Sequence, residues 1–139
     1  SNRLDEIQAA WLQVKLPFLD THNERRRRIA AIYTDRFRDL PVTLPPVEGQ
    51  GDYSVFHLYA IRTDKRAALI SHLSKNGIDT AIHYPIPIHL QPAFGYLGLG
   101  QGTFPHAERL EETVLSLPMY PELTDQEVNR VVLSVREFF

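Results

Sequence analysis

The sequence predicts a small α/β fold in which helices cover a short sheet, and three observations lead to this class. Apolar residues recur every three or four positions near both ends of the 139-residue chain, as in amphipathic helices. Short runs of β-branched and aromatic residues lie between them, on either side of another helical segment. Hydrophobic residues make up 43% of the sequence and charged residues 23%, which is typical of one ordinary globular domain.

The first forty residues predict two helical segments followed by a loop. One apolar stripe covers residues 4–18, and Pro17 is expected to stop or kink this helix. Thr21 followed by Glu24 has the spacing of a capping box, so a second helix is expected to begin there. The segment 41–52 contains three prolines and two glycines, which predicts a loop.

The middle of the chain predicts a strand, a helix and a second strand. Residues 55–62 mix aromatic and branched side chains and are expected to form the first strand. A helix follows over residues 65–75 and leaves through Gly77, which favours a left-handed exit. The inward-facing residues of this helix are predicted to be Ala67, Ile70 and Leu73. Residues 78–83 are predicted to form the second strand, reached by a right-handed crossover.

The rest of the chain predicts an irregular stretch, a helix, a short strand and a terminal helix. Prolines exclude regular structure over 85–92, and a helix is expected over 105–111, followed by a strand over 114–117. Thr124 and Glu127 form a second capping box before a strongly periodic helix. The apolar face of that helix consists of Val128, Val131, Val132, Val135 and Phe138.

Composition and charge exclude several function classes. Fifteen lysines and arginines against seventeen aspartates and glutamates give a formal charge of −2, so nucleic acid and anionic membranes are not expected partners. The absence of cysteine excludes disulfides, thiolate zinc sites and cysteine nucleophiles. With no long apolar run and no export signal, a cytoplasmic protein is expected. Because the chain starts at Ser1 and enters a helical pattern at once, it is expected to be a piece of a longer protein.

The densest group of polar side chains lies in the proline-rich segment 83–92. It brings together the imidazoles of His83 and His89, the phenol of Tyr84 and the amide of Gln91 on a backbone that prolines restrict. No metal is expected, because the two histidines lack a third ligand at local spacing. The pattern leaves two interpretations open: a binding site, or histidines that only cap turns and bond the backbone.

A series of short motifs runs in order along nearly the whole chain. In sequence they are Arg3-Leu4-Asp5-Glu6-Ile7-Gln8-Ala9-Ala10, Phe56-His57-Leu58-Tyr59, Gly77-Ile78-Asp79-Thr80, His83-Tyr84-Pro85-Ile86-Pro87-Ile88-His89-Leu90-Gln91-Pro92, Phe104-Pro105-His106-Ala107-Glu108 and Leu115-Ser116-Leu117-Pro118-Met119-Tyr120-Pro121. In this order and spacing they resemble the segment that follows the cofactor lysine in DegT-like sugar-nucleotide aminotransferases.

The resemblance implies the C-terminal portion of a fold type I enzyme that depends on pyridoxal 5'-phosphate. Residues 1–40 would be a long helical segment linking to a large domain that this chain lacks, and residues 41–139 a small C-terminal α/β sandwich domain. The enzyme would be a homodimer with active sites at the subunit interface. The resemblance places His83, Tyr84, His89 and Gln91 near the sugar substrate. It makes Asn2 the candidate for the asparagine that reaches the cofactor phosphate of the partner subunit, although the family leaves one residue between that asparagine and the arginine.

The implied reaction transfers an amino group, usually from glutamate, to the keto group of a nucleotide-linked deoxysugar at C3 or C4. The cofactor supplies the chemistry and the protein positions the substrate. None of Lys15, Lys65 and Lys75 matches the family's lysine motif, so this chain alone is expected to be inactive. Apolar surface around Trp11 is expected to be exposed and to cause self-association. Two alternatives remain: a related sugar dehydratase, and a non-catalytic regulatory or assembly domain.

Overall fold

The computed structural model describes residues 3–46 and 54–139, in which helices cover a two-stranded sheet. The helices are α1 (Glu6–Lys15), α2 (Leu19–Phe37), α3 (Arg66–Lys75), α4 (Pro105–Thr113) and α5 (Asp125–Phe138); the strands are β1 (Tyr59–Arg62) and β2 (Val114–Leu117). Short 3₁₀ helices span Leu16–Phe18, Ile88–Leu90 and Pro92–Leu97. The predicted mixture of helix and sheet is therefore confirmed, with a smaller sheet than the sequence suggested. Across the described ranges, no helix combines the length and apolar character needed to cross a membrane.

The first helix of the N-terminal segment stops before Pro17, as predicted, but the second helix begins earlier than expected. Pro17 lies in a 3₁₀ turn that runs directly into α2, so the backbone stays helical through Phe18 and the helix starts at Leu19. A capping box needs an extended residue at the cap position. Thr21 already lies inside the helix, and the predicted start there is wrong.

The sheet consists of β1 and β2 in antiparallel pairing. Tyr59 lies opposite Leu117 and Arg62 opposite Val114. One isolated bridge extends each outer edge: Thr43 pairs with Arg62, and Ala81 pairs with Ser116. The strand predicted at 114–117 is confirmed at both ends.

The two other strand predictions are corrected. Strand β1 starts at Tyr59 rather than at residue 55, because Phe56 has a φ of 46°, which interrupts an extended backbone. Residues 78–83 make only the single antiparallel pair at Ala81, and Pro85, soon after it, has no N–H with which to extend a ladder. The predicted second strand and its right-handed crossover are therefore wrong.

Helices α3 and α5 agree with their predicted spans. Helix α3 is followed by Gly77 with a φ of 68°, as the turn signal required. Its buried residues are Leu69 and Leu73, whereas Ala67 is exposed, so the predicted inward face is rotated. Helix α5 is capped by Thr124, whose hydroxyl accepts a hydrogen bond from the Glu127 amide at 3.2 Å.

One hydrophobic core joins the second half of α2, the sheet, α3 and α5. It contains Ile29, Ala30, Tyr33, Phe37, Tyr59, Ile61, Leu69, Leu73, Ile78, Leu115, Leu117, Leu123, Val128, Val131, Val132 and Val135. At its centre the Tyr33 ring meets the edge of Tyr59 with 5.1 Å between centroids. Burial raises the pKa of the Tyr33 phenol, which donates a hydrogen bond to the Pro118 carbonyl at 3.1 Å.

Helix α1 takes no part in this core. None of its side chains is buried, and 64% of Trp11 is exposed. The expected exposure of apolar surface on the first helix is confirmed.

Candidate functional site

A cleft of about 640 Å³ opens between the proline-rich segment and helix α4. His83, Tyr84, His89 and Gln91 all line it, so the structure brings the four predicted site residues together. Asn2, the fifth candidate, lies outside the described residues.

The proline-rich segment owes its shape to its prolines and to two short turns. The amide of Leu90 donates to the Pro87 carbonyl at 2.9 Å, closing the first turn. Pro92 begins the second turn, which ends at Gly98 with a φ of 65°. The polar side chains carried by this backbone line the cleft.

His83 is held by the sheet. Its Nδ1 lies 3.0 Å from the hydroxyl of Ser116, a residue of β2 that is only 4% exposed. The backbone of Ser116 also pairs with Ala81, two residues before the histidine. The ring is therefore fixed through Nδ1, and Nε2 is the nitrogen available to a ligand in the cleft.

Tyr84 offers the cleft an exposed phenol, and Gln91 offers it an amide oxygen. The Tyr84 side chain is among the exposed aromatic groups, at 74%, and its ring meets the edge of His83 at 5.7 Å. The Gln91 amide nitrogen donates to the Ile86 carbonyl at 3.3 Å. That bond leaves the amide oxygen of Gln91 as an acceptor at the cleft.

His89 is buried and bound to a carboxylate that the sequence analysis did not single out. Its Nε2 lies 3.0 Å from Oε1 of Glu108, and its ring meets the edge of Phe104 at 4.9 Å. Glu108 also accepts hydrogen bonds from the amides of Gly102 and Phe104. The Gly102 amide and, to a smaller extent, His89 hold the pKa of Glu108 below its usual range.

Ser116 and Glu108 are thus the hydrogen-bonding partners of the two histidines that the sequence analysis did not identify. Both lie within motifs noted above, but 33 residues separate Ser116 from His83 and 19 separate Glu108 from His89. Local spacing cannot indicate such pairs. The order of the motifs was the available signal, since each partner falls in a motif after the proline-rich segment.

The remaining walls of the cleft are mainly apolar. They are formed by Ile86, Ile88, Phe94, Leu97, Leu99, Phe104, Ala107, Leu110 and Val114, with the carboxylate of Glu111 as a polar exception. An apolar cleft with a few placed polar groups suits an organic ligand whose faces pack and whose hydroxyl or phosphate oxygens are bonded.

The described residues do not fit the covalent site of a pyridoxal phosphate. No lysine is among the described cleft residues. Lys15 lies over the Trp11 ring at 5.0 Å and Lys65 over the Phe139 ring at 5.6 Å. Within 3–46 and 54–139, no group of three or more potential ligand side chains could hold a metal ion. The described part of the cleft can bind and orient a ligand, and no lysine amine lines it.

Comparison with known proteins gives a uniform result. Residues 1–136 match the DegT/DnrJ/EryC1/StrS aminotransferase family. The chain is 47% identical to a "Pleiotropic regulatory protein" of Geobacillus stearothermophilus, over 100% of this chain and 38% of that protein. It is 43% identical to the dTDP-3-amino-3,4,6-trideoxy-alpha-D-glucose transaminase of Streptomyces venezuelae, over 99% of this chain and 36% of the transaminase.

A solved structure agrees with these relatives. The crystal structure of S. venezuelae DesV in complex with a ketimine intermediate superposes with a TM-score of 0.93 and 44% identity. The match covers 98% of this chain and 37% of DesV. The chain therefore spans less than two fifths of the length of these relatives.

Proposed function

Because the chain belongs to the DegT/DnrJ/EryC1/StrS aminotransferase family, we propose that it is the C-terminal part of an enzyme that aminates nucleotide-linked sugars with pyridoxal 5'-phosphate. The observation that carries this proposal is the match over residues 1–136 together with the 43% identity to a named sugar transaminase. Since the chain spans 36% of that transaminase, the remainder of a longer parent protein would hold the cofactor and its lysine. A related dehydratase is less well supported, because the S. venezuelae relative is named a transaminase.

Residues 1–40 link this part to the preceding large domain, and residues 41–139 form the small C-terminal sandwich domain. The exposed apolar side of α1 supports the first assignment, because large apolar groups such as Trp11 and Ile7 otherwise face water. The second half of α2 packs into the same core as α3 and α5, which anchors the linking segment to the small domain.

The cleft binds the nucleotide-linked sugar in this proposal. The Nε2 of His83, the Tyr84 hydroxyl and the Gln91 amide oxygen supply hydrogen bonds to sugar hydroxyls or the diphosphate, and the apolar walls pack against the ring faces. His89, which Glu108 holds in place by a hydrogen bond, contributes its ring to the wall of the cleft. Asn2 remains the candidate for the phosphate of a cofactor bound by the partner subunit of a homodimer.

Glutamate is the proposed amino donor and C3 the proposed position of amination. The C3 assignment is supported by the printed name of the S. venezuelae relative, a transaminase of a 3-amino sugar. Amination at C4 is the other outcome of the test. We place the protein in the cytoplasm, where nucleotide-linked sugars are made.

The test uses the full-length parent protein, ¹⁵N-glutamate and two dTDP-linked deoxysugars, one with a 3-keto and one with a 4-keto group. We expect ¹⁵N to appear in the product of the 3-keto sugar, as measured by mass spectrometry. The 139-residue chain alone is the matched control and should transfer none. Loss of a hydroxyl without nitrogen incorporation would indicate the dehydratase, and no change of either sugar would contradict the proposal.

A regulatory role is the second candidate, favoured by the name of the G. stearothermophilus relative, a "Pleiotropic regulatory protein". The same experiment separates the two candidates. A parent protein that leaves both sugars unchanged would favour regulation over amination.

A further inference from the structure

The carboxylate of Glu108 joins two residues that line the cleft, His89 and Phe104, to Gly102. Its two oxygens accept from the Gly102 amide at 2.9 and 2.8 Å, and Oε1 also accepts from the Phe104 amide at 3.2 Å. The same oxygen lies 3.0 Å from Nε2 of His89. The side chains of His89 and Glu108 are only 6% and 15% exposed, so water competes little for the hydrogen bond between them.

The chemistry of a carboxylate fixes the direction of these bonds. An ionised carboxylate can only accept, so His89 donates from Nε2. In the neutral imidazole, Nδ1 is then the acceptor. Glu108 therefore selects the tautomer of His89 as well as the orientation of its ring.

The bonds of Glu108 also fix the loop that carries Phe104. Gly102 has a φ of 88°, a conformation that glycine adopts readily, and the Thr103 amide and hydroxyl bond within the loop to the Gly100 carbonyl. The Gly102 and Phe104 amides reach outside the loop to Glu108 on α4. Phe104, whose ring lies 4.9 Å from His89, lines the cleft with it.

We propose that Glu108 is a positioning residue for sugar-nucleotide binding: its carboxylate locks His89 and the loop before α4 into one wall of the cleft. This inference rests on the proposed function, because it assigns the nucleotide-linked sugar to that wall. Glu108 acts through His89 and Phe104 and need not touch the substrate. The wall is present before and during the reaction, so its loss weakens substrate binding and leaves turnover of bound substrate nearly unchanged.

The first test measures binding and turnover by the full-length parent protein. Glu108→Gln preserves side-chain volume but replaces one acceptor oxygen by an NH₂ group, which faces the Gly102 N–H in either orientation of the amide. We expect the dissociation constants for dTDP-glucose and UDP-glucose, measured by calorimetry, and the KM for the keto sugar to rise at least five-fold, with kcat within two-fold. Glu112→Gln is the matched control, since Glu112 lies on the same helix, is 58% exposed and pairs with Arg109. Unchanged binding by a folded Glu108→Gln protein would overturn the proposal.

Glu108→Asp addresses the case in which the glutamine variant fails to fold. It keeps the charge and both acceptor oxygens on a shorter side chain. We expect its dissociation constants to lie between those of the wild-type and Glu108→Gln proteins. If Glu108→Gln is unfolded, the dissociation constants of Glu108→Asp should still be higher than those of the wild-type protein. If Glu108→Gln is unfolded and Glu108→Asp binds with wild-type affinity, Glu108 serves only folding, and the proposal is overturned.

The second measurement does not depend on the substrate. Long-range ¹H–¹⁵N spectra of the histidine rings in this chain should show His89 protonated at Nε2, and Glu108→Gln should weaken this preference while Glu112→Gln leaves it intact. If the parent protein binds neither nucleotide sugar, the proposed function fails. The spectra alone then show whether Glu108 positions the His89 ring. A His89 ring unprotonated at Nε2 in the wild-type chain, or unaffected by Glu108→Gln, would refute that role.

Discussion

Replacing Ser116 with alanine removes the hydroxyl that holds His83 against strand β2. The Oγ–Nδ1 distance of 3.0 Å is that of a normal hydrogen bond, and Ser116 is only 4% exposed, so water cannot easily replace it. A bond of this kind contributes about 1 kcal/mol net. We expect Ser116→Ala to lower the free energy of unfolding by about 1 kcal/mol, because alanine keeps the strand but leaves the ring unheld.

The same loss should appear in ligand binding, because a free His83 ring must be ordered again by the ligand. An ordering cost of about 1 kcal/mol corresponds to a roughly five-fold higher dissociation constant for dTDP-glucose in the full-length parent protein. Urea denaturation of this chain and calorimetry of the parent measure the two effects. Ser134→Ala is the matched control: Ser134 is buried on α5 and does not line the cleft. If Ser116→Ala and Ser134→Ala affect binding equally, the hydroxyl does not hold His83 for a ligand.

Three further predictions concern stability and association. Hydrogen bonds from Arg136 hold the pKa of Asp39 at about 2, below its ordinary 3.8. The stability that the ionised Asp39 contributes is therefore fully present above pH 3.8 and is lost as the pH falls through 2. The loss of stability over this pH range should be missing when Asp39→Asn is unfolded by acid. Gly77→Ala should lower the free energy of unfolding in urea by about 1 kcal/mol, since its φ is 68°, whereas Gly95→Ala, with open space around it, should cost far less. Sedimentation should show that this chain self-associates and that Trp11→Gln reduces the association. A monomeric wild-type chain at high concentration would contradict the expectation that the exposed apolar surface around Trp11 causes association.

Local signals account for the elements that the sequence predicted well. Helix α5 has a capping box and a strict apolar period, and helix α3 is followed by the glycine that its exit requires. The start of β1 could not be predicted in this way, because aromatic composition favoured a strand where Phe56 takes a positive φ. Composition also misled the prediction of a strand over 78–83. These residues have the composition of a strand, but only Ala81 pairs with a neighbouring strand.

In the candidate site, too, features that are local in sequence could be predicted, and contacts between distant residues could not. Prolines and polar side chains close in sequence indicated where the cleft residues lie, and the structure brings all four together. Their partners Ser116 and Glu108 come from β2 and α4, and only folding of the core brings those elements to the proline-rich segment. Sequence spacing therefore predicted which residues gather at the cleft but not the hydrogen bonds that orient its histidines.

In the proposed function, this chain supplies the sugar-binding cleft of an aminotransferase whose cofactor is held elsewhere in the parent protein. The most direct test compares wild-type parent protein with His83→Gln for nitrogen transfer from ¹⁵N-glutamate to the dTDP-linked 3-keto sugar, and separately for the reaction of each enzyme with glutamate alone. We predict a several-fold higher KM for the sugar in His83→Gln and an unchanged rate with glutamate alone. An unchanged KM for the sugar, or a defect confined to the reaction with glutamate, would contradict the claim.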